Sequence, residues 1–63
     1  MKTPEKTFTN AATGIMSYVF DNGAAGFSVT IQDVDSGEFF AMSHRFPRSH
    51  GIEAAIAKAK EIL

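Results

Sequence analysis

The residues of this chain that could carry out chemistry are concentrated in one basic segment before a predicted helix. The segment reads His44-Arg45-Phe46-Pro47-Arg48-Ser49-His50 and holds both histidines, two of the six basic residues and no acid. Backbone N–H groups at a helix N-terminus attract phosphates and carboxylates. We therefore predict a weak anion site formed by His44, Arg45, Arg48, Ser49 and His50. The alternative is a solvated basic loop that balances the acids Asp21, Asp33, Asp35 and Glu38.

Catalytic and metal-binding chemistry have little support in the residue pattern. Ser43 beside His44 and Ser49 beside His50 are only neighbours along the chain, and no Gly-x-Ser-x-Gly elbow surrounds them. The histidines are separated by a proline turn with no zinc-type spacing, and the chain has no cysteine. Residues 33 to 38 are typical of a hairpin turn rather than a calcium loop. We expect no enzyme activity, no cofactor and no metal.

Three strands are predicted after a flexible N-terminal arm. Residues 1 to 13 show neither the period of a strand nor that of a helix, so we predict an arm there and a single domain over residues 14 to 63. β-Branched and aromatic residues predict the three strands, and the second also alternates strictly between apolar and polar residues. Their ranges are 15 to 20, 27 to 32 and 38 to 44.

An amphipathic helix is predicted over residues 52 to 63, with Ser49 as its favoured N-cap. Its apolar stripe contains positions 52, 55, 56, 59, 62 and 63. A helix of this length is unstable alone in water, so the stripe must pack on the sheet. The predicted contacts join Ile52, Ile56 and Ala59 of the helix to Phe27, Val29 and Ile31 of the sheet. The expected class is α+β, a three-stranded antiparallel sheet with one C-terminal helix on one face (β-β-β-α).

One helix covers only one face of this sheet, which leaves large apolar side chains without cover. Contiguous apolar surface of this kind marks an interface, and a chain of 63 residues has a small core to stabilise it. We predict a homodimer with an interface that contains Tyr18, Phe20, Phe39, Phe40 and Met42. The alternatives are an arm that folds back through Phe8, a different protein partner, or a ligand groove.

Composition and charge indicate a cytoplasmic interaction module. Six Lys and Arg against seven Asp and Glu give a net charge of -1, which argues against a strongly basic nucleic-acid binder. The first residues lack the apolar core of a secretory signal, and no stretch approaches the roughly 18 apolar residues of a membrane span. We expect a non-enzymatic protein with no membrane contact. The alternative function is nucleic-acid or phosphate-ligand binding through residues 44 to 50.

Two segments of the chain resemble a known family. Residues 26 to 34 read Gly-Phe-Ser-Val-Thr-Ile-Gln-Asp-Val, and residues 52 to 62 form a helix rich in Glu-Ala and Ala-Lys-Glu. Over about residues 18 to 63 the pattern is similar to the N-terminal domain of HicB-type antitoxins, with residues 33 to 37 standing where those domains carry a Pro-Asp-Leu-Pro-Gly-like segment. The resemblance implies a strand-strand-strand-helix domain and toxin neutralisation.

Overall fold

Four antiparallel strands form one sheet in the order β1-β2-β3-β4, and the chain ends in helix α1. This computed structural model describes residues 3 to 63, apart from the side chains at positions 41 and 42. The bounds are Lys6–Asn10 for β1, Ile15–Asp21 for β2, Phe27–Asp33 for β3, Phe39–Phe46 for β4 and Ile52–Ile62 for α1. The predicted class, an antiparallel sheet with one C-terminal helix packed against it, is confirmed.

Strand β1 corrects the prediction of three strands and of an arm over residues 1 to 13. It pairs along its whole length with β2, with Phe8 opposite Ser17 and Asn10 opposite Ile15. The strand was missed because Phe8 is the single apolar residue among its five, so the alternation gives no clear apolar face. Phe8 packs against the core under the helix. The alternative in which the arm folds back through Phe8 was therefore correct that Phe8 folds back. It was wrong about the position, because Phe8 packs against the core and not on the apolar residues that the helix leaves uncovered.

The core lies between α1 and one face of the sheet, as the helix stripe predicted. Ala55 and Ala59 of the helix have no exposed surface, and they form one buried cluster with Val19, Phe27 and Val29 of the sheet. Ile52, Ile56 and Ile62 pack around this cluster. Because alanine has a short side chain, the helix can lie close to the strands at these two positions. Ile31 is also buried.

Ser17 is a buried polar residue at the centre of this packing. Its hydroxyl donates a hydrogen bond to the backbone carbonyl of Ala59, with an oxygen–oxygen distance of 3.0 Å. A buried hydroxyl without a partner would be costly, so this bond satisfies the group and also connects β2 to α1.

Helix α1 begins after a short 3-10 turn, and the prediction that Ser49 caps it is wrong. Ser49 lies within the turn Arg48–His50, and Gly51 is the N-cap residue, with no side chain capping the helix. Gly51 has a φ of 78°, a left-handed conformation that glycine adopts without a steric penalty. The change in chain direction between the turn and the helix therefore depends on this glycine rather than on a serine hydroxyl.

Candidate functional site: the open face of the sheet and the basic segment

Strand alternation divides the sheet into a face under α1 and an opposite face, here called the open face. Residues that lie opposite each other on neighbouring strands point to the same side, so the buried Val19 and Val29 identify the helix side. The backbone N–H of Glu5, just before β1, bonds to the carbonyl of Val19, the residue that pairs with Lys6. The open face contains Thr7 and Thr9, then Met16, Tyr18 and Phe20, then Ser28, Thr30 and Gln32, and finally Phe39, Ser43 and Arg45.

Three aromatic rings form a cluster on the open face. The ring centroid of Tyr18 lies 6.4 Å from that of Phe20 and 6.1 Å from that of Phe39. These separations are in the range of attractive aromatic pairs. The rings, together with Pro4 and Gln32, line a shallow groove with a volume of about 250 Å³. Phe39 is 60% exposed, so the groove has an apolar wall in contact with water.

Hydrogen bonds fix the orientation of the central ring in this cluster. The hydroxyl of Tyr18 donates to the side-chain carbonyl oxygen of Gln32. The amide nitrogen of Gln32 donates to the backbone carbonyl of Gly37 at 2.9 Å. The polar groups at the end of the groove are thus bonded within the chain, and the groove presents mainly ring surface to a binding partner.

The structure brings together three of the five residues predicted for a dimer interface. Tyr18, Phe20 and Phe39 are the clustered residues. Phe40 is 45% exposed but lies next to Phe39 along the strand, and it takes no part in the described ring contacts. The prediction for Met42 lies outside the described side chains. The sequence did not indicate the groove residues Pro4 and Gln32, because they come beside the rings only when the sheet is assembled.

Arg48, the central cation of the predicted anion site, is held by the fold itself. Its Nη1 atom lies 2.8 Å from Oδ1 of Asp21, and its Nη2 atom lies 3.2 Å from Oδ2. Nη1 also donates to the carbonyl of Gly23 at 3.1 Å, and the guanidinium lies 5.0 Å from the ring centroid of Phe27. The hydrogen bond and the charge of Asp21 raise the pKa of Arg48. The ion pair between Arg48 and Asp21 agrees with the alternative in which the basic segment neutralises nearby acidic residues instead of binding an anion.

The other predicted anion-site residues do not converge on one point. His44 pairs with Val29 on the helix side of the sheet, whereas Arg45 pairs with Ser28 on the open face. Ser49 and His50 are exposed in the turn before α1. An anion at the helix start would therefore lie far from the Arg45 side of the sheet.

The turn before α1 is closed by its own hydrogen bonds, and an acidic side chain lies beside the first turn of the helix. The N–H groups of His50 and Gly51 bond to the carbonyls of Pro47 and Arg48 at 3.0 and 3.1 Å. A carboxylate oxygen of Glu53 lies 3.1 Å from the point where a Cβ atom on Gly51 would stand. A negatively charged group is favourable at this end of a helix, and Glu53 places one in the first turn of α1.

The described residues contain no candidate metal cluster and no membrane-spanning helix, and the chain has no match among known proteins. Within the described part of residues 3 to 63, no group of three or more His, Asp or Glu side chains is arranged to hold a metal ion. No helix in that same part of the chain has the length and apolar character needed to cross a membrane. The chain matches no protein-family model, and neither curated proteins nor solved structures include one with significant similarity to it.

Proposed function

We propose that this protein is a small interaction module that forms a homodimer through its open face. The observation that carries the proposal is the cluster of Tyr18, Phe20 and Phe39 on the side of the sheet that α1 does not cover. Phe39 alone leaves 60% of its surface exposed. Exposed apolar surface that is contiguous in this way is typical of protein interaction sites.

The small size of the core favours a second copy as the partner. Six hydrophobic residues are buried in the described part of the chain. A core this small gains stability when association is coupled to folding.

Sedimentation equilibrium between micromolar and millimolar concentration tests the proposal. Phe39→Ser removes an exposed ring from the expected contact, so we expect the dissociation constant of the dimer to rise roughly 30-fold, as for an interface hot spot. The matched control is Val34→Ser, which removes an exposed apolar side chain, 44% accessible, from the turn between β3 and β4. A parent chain that stays monomeric at millimolar concentration would exclude the homodimer.

A protein partner of a different kind is the outcome that the HicB resemblance would favour. If the parent chain is monomeric, the same three rings become the expected contact with that partner, and Phe39→Ser remains the variant to test. Action in the cytoplasm belongs to the same proposal and stays a prediction.

Phosphate or nucleic-acid binding through residues 44 to 50 has less geometric support. Arg48 already binds Asp21, and the Glu53 carboxylate stands at the start of α1. Titration with phosphate at low ionic strength, followed by amide resonances of residues 48 to 53, tests this alternative. Shifts that disappear in Arg45→Gln with Arg48→Gln would support it, and an unchanged spectrum would exclude it.

A further inference from the structure

We propose that the outer edge of β4 pairs with the same edge of a second copy, in antiparallel orientation, so that the two sheets join into one continuous sheet. The inference goes beyond the proposed open-face contact, because it uses backbone groups that lie in the plane of the sheet. The two-fold axis of this pairing is perpendicular to the sheet and passes between the two copies of His44. Both contacts can therefore occur together in a larger symmetric assembly, and loss of the open-face contact leaves an edge dimer.

Of the two edge strands, β4 is the better suited to pairing with another strand. The order β1-β2-β3-β4 leaves one side of β1 and one side of β4 without a neighbouring strand in the sheet. β1 has five residues and carries Lys6, and shortness and lysine are features that protect an edge from pairing. β4 has eight residues, begins with Phe39 and Phe40, ends with Phe46, and contains no lysine or proline. A long apolar edge of this kind is where another strand adds.

Hydrogen bonds at the two ends of the β2–β3 pair show how the bonding alternates along β3. The N–H of Val34 bonds to the carbonyl of Gly14, and the N–H of Asn22 bonds to the carbonyl of Gly26. Both bonds continue the register of β2 and β3, so the even-numbered residues of β3 exchange hydrogen bonds with β2. Because bonding alternates along an antiparallel strand, the odd-numbered residues of β3 exchange theirs with β4.

The backbone groups of Ser43 and Arg45 therefore point away from the sheet. Val29, an odd-numbered residue of β3, lies opposite His44 and exchanges its hydrogen bonds with it. The residues on either side of His44 then direct their N–H and C=O groups to the free edge. Ser43 and Arg45 are exposed, and no described hydrogen bond outside the strand ladders uses their backbone. Each copy thus offers the N–H and C=O groups of both residues to a second strand.

The residues around this edge select one register for the pairing. With His44 opposite His44 of the second copy, Ser43 lies opposite Arg45, and both such pairs exchange their hydrogen bonds across the axis. A register centred on Arg45 would place the two guanidinium groups opposite each other and Ser43 opposite Pro47, which has no N–H. A register centred on Ser43 would place Arg45 opposite position 41, in the part of β4 where the pairing with β3 is irregular. The register centred on His44 avoids both defects.

Proline at the free edge tests the pairing, because proline has no N–H to donate. The background is Phe39→Ser, which weakens the open-face contact. In this background we expect a dimer at millimolar concentration by sedimentation equilibrium, and Arg45→Pro should raise its dissociation constant roughly 30-fold or more. Arg45→Ala removes the same side chain but keeps the outward N–H, so it should dimerise like the background. Thr9→Pro makes the change at an exposed position of the opposite edge strand and is the second control.

Charge pairs at position 44 test the register without proline, in the same Phe39→Ser background. His44→Lys alone or His44→Glu alone places two like charges opposite each other at the axis, so we expect each dissociation constant to rise about fivefold at low salt. An equal mixture forms a heterodimer in which the two charges are opposite. This heterodimer should be tighter than either homodimer, measured by sedimentation with a fluorescent label on one variant. His50→Lys and His50→Glu make the same changes in the exposed turn before α1 and should show no such preference.

The outcomes separate the edge contact from the open-face contact. A Phe39→Ser chain that is monomeric at millimolar concentration overturns the edge pairing, and the open-face dimer remains if the parent chain dimerises. Equal dissociation constants for Arg45→Pro and Arg45→Ala overturn the edge pairing as well. If circular dichroism shows that Arg45→Pro does not fold, the His44 variants decide, and a mixture that associates no better than either variant alone overturns the pairing. A dimer that is lost in Arg45→Pro but unchanged in Phe39→Ser would support the edge and exclude the open-face contact.

Discussion

The guanidinium of Arg48 and the carboxylate of Asp21 form a two-point contact, with nitrogen–oxygen distances of 2.8 and 3.2 Å, between residues 27 positions apart. The contact joins the turn before α1 to the end of β2. The same guanidinium lies against the ring of Phe27 at the start of β3. The Arg48 side chain thus connects the turn before α1, the end of β2 and the start of β3. This is a structural role for a residue that the sequence analysis predicted to bind an anion.

The first prediction concerns the geometry of this contact. Arg48→Lys keeps the charge but loses the two-point contact and the planar group over Phe27, so we expect it to lower the melting temperature nearly as much as Arg48→Gln does. Lys6→Gln, which removes a charge from an exposed strand position, is the control and should leave the melting temperature unchanged. Circular dichroism melts at matched concentration give the comparison. Full stability of Arg48→Lys would contradict the role of the planar group.

The pH dependence of the Arg48 contribution follows from the direction of its pKa shift. Asp21 raises the pKa of Arg48, so the folded state holds this proton more tightly than the unfolded state does. The stabilisation is fully present below the pKa of arginine in the unfolded chain and is lost only as the pH rises through the folded value, in strong alkali. The ionisation of Arg48 does not change between about pH 7 and about pH 9. Arg48→Gln should therefore lower the free energy of unfolding by the same amount at both pH values. Urea unfolding at both pH values gives the comparison. If the difference in free energy of unfolding between the parent and Arg48→Gln became smaller at about pH 9, the stabilising role of the charged Arg48 would be contradicted.

The third prediction concerns Gly26, which lies where two parts of the chain pass close together. Its φ is 93°, and a Cβ atom there would stand 2.2 Å from the carbonyl oxygen of Phe46 and 3.0 Å from the backbone nitrogen of Arg48. Because both neighbours are backbone atoms, they cannot rotate away. We expect Gly26→Ala to destabilise the fold by more than about 3 kcal/mol, from strain and overlap together.

Gly23 provides the matched control for this prediction. Its φ is 66°, but no atom lies within 4 Å of the position of an added Cβ. Gly23→Ala should therefore cost only the backbone penalty of about 1 to 2 kcal/mol. Urea unfolding of both variants gives the two values. Equal costs would show that the close approach at Gly26 contributes nothing.

The sequence predicted the parts of the fold that have a strong local pattern. The alternation of Phe27, Val29 and Ile31 gave the strand and its buried side, because both faces of that strand have clear character. The spacing of Ala55 and Ala59 gave the buried side of the helix for the same reason. These patterns are local, so they can be recognised without knowledge of the register.

The parts that were missed depend on contacts between distant residues. The contact between Arg48 and Asp21 joins the turn before α1 to the end of β2, and these come together only when the sheet is assembled. For the candidate site, the sequence supplied the aromatic residue types but left Phe39 and Phe40 equivalent, because both are large and apolar. The pairing of Phe39 with Gln32 decided which ring joins the cluster on the open face.

The fourth prediction concerns the buried hydroxyl of Ser17. Ser17→Ala removes the hydrogen bond to the carbonyl of Ala59 without adding volume, so we expect a loss of about 1 kcal/mol. Ser17→Val replaces the hydroxyl with two methyl groups where Ser17 has no exposed surface, so it should cost more, about 1 to 3 kcal/mol, despite the better strand propensity of valine. Urea unfolding measures both. A more stable Ser17→Val variant would show that there is room beside the helix.

The last prediction concerns the close approach of the helix to the sheet. Ala59 has no exposed surface and packs with Val19 and Phe27, whereas Ala57 is exposed two residues earlier on the same helix. Ala59→Leu must push the helix away from the sheet or distort the neighbouring side chains, at a cost of about 1 to 3 kcal/mol. For a domain of this size such a cost lowers the melting temperature by several degrees or more, at roughly 4 to 8 °C per kcal/mol. Ala57→Leu adds the same atoms with a similar helix propensity and should leave the melting temperature within about 2 °C of the parent value. Because the two substitutions differ only in the face of α1 that receives the new side chain, equal melting temperatures would contradict the docking of the helix through Ala59.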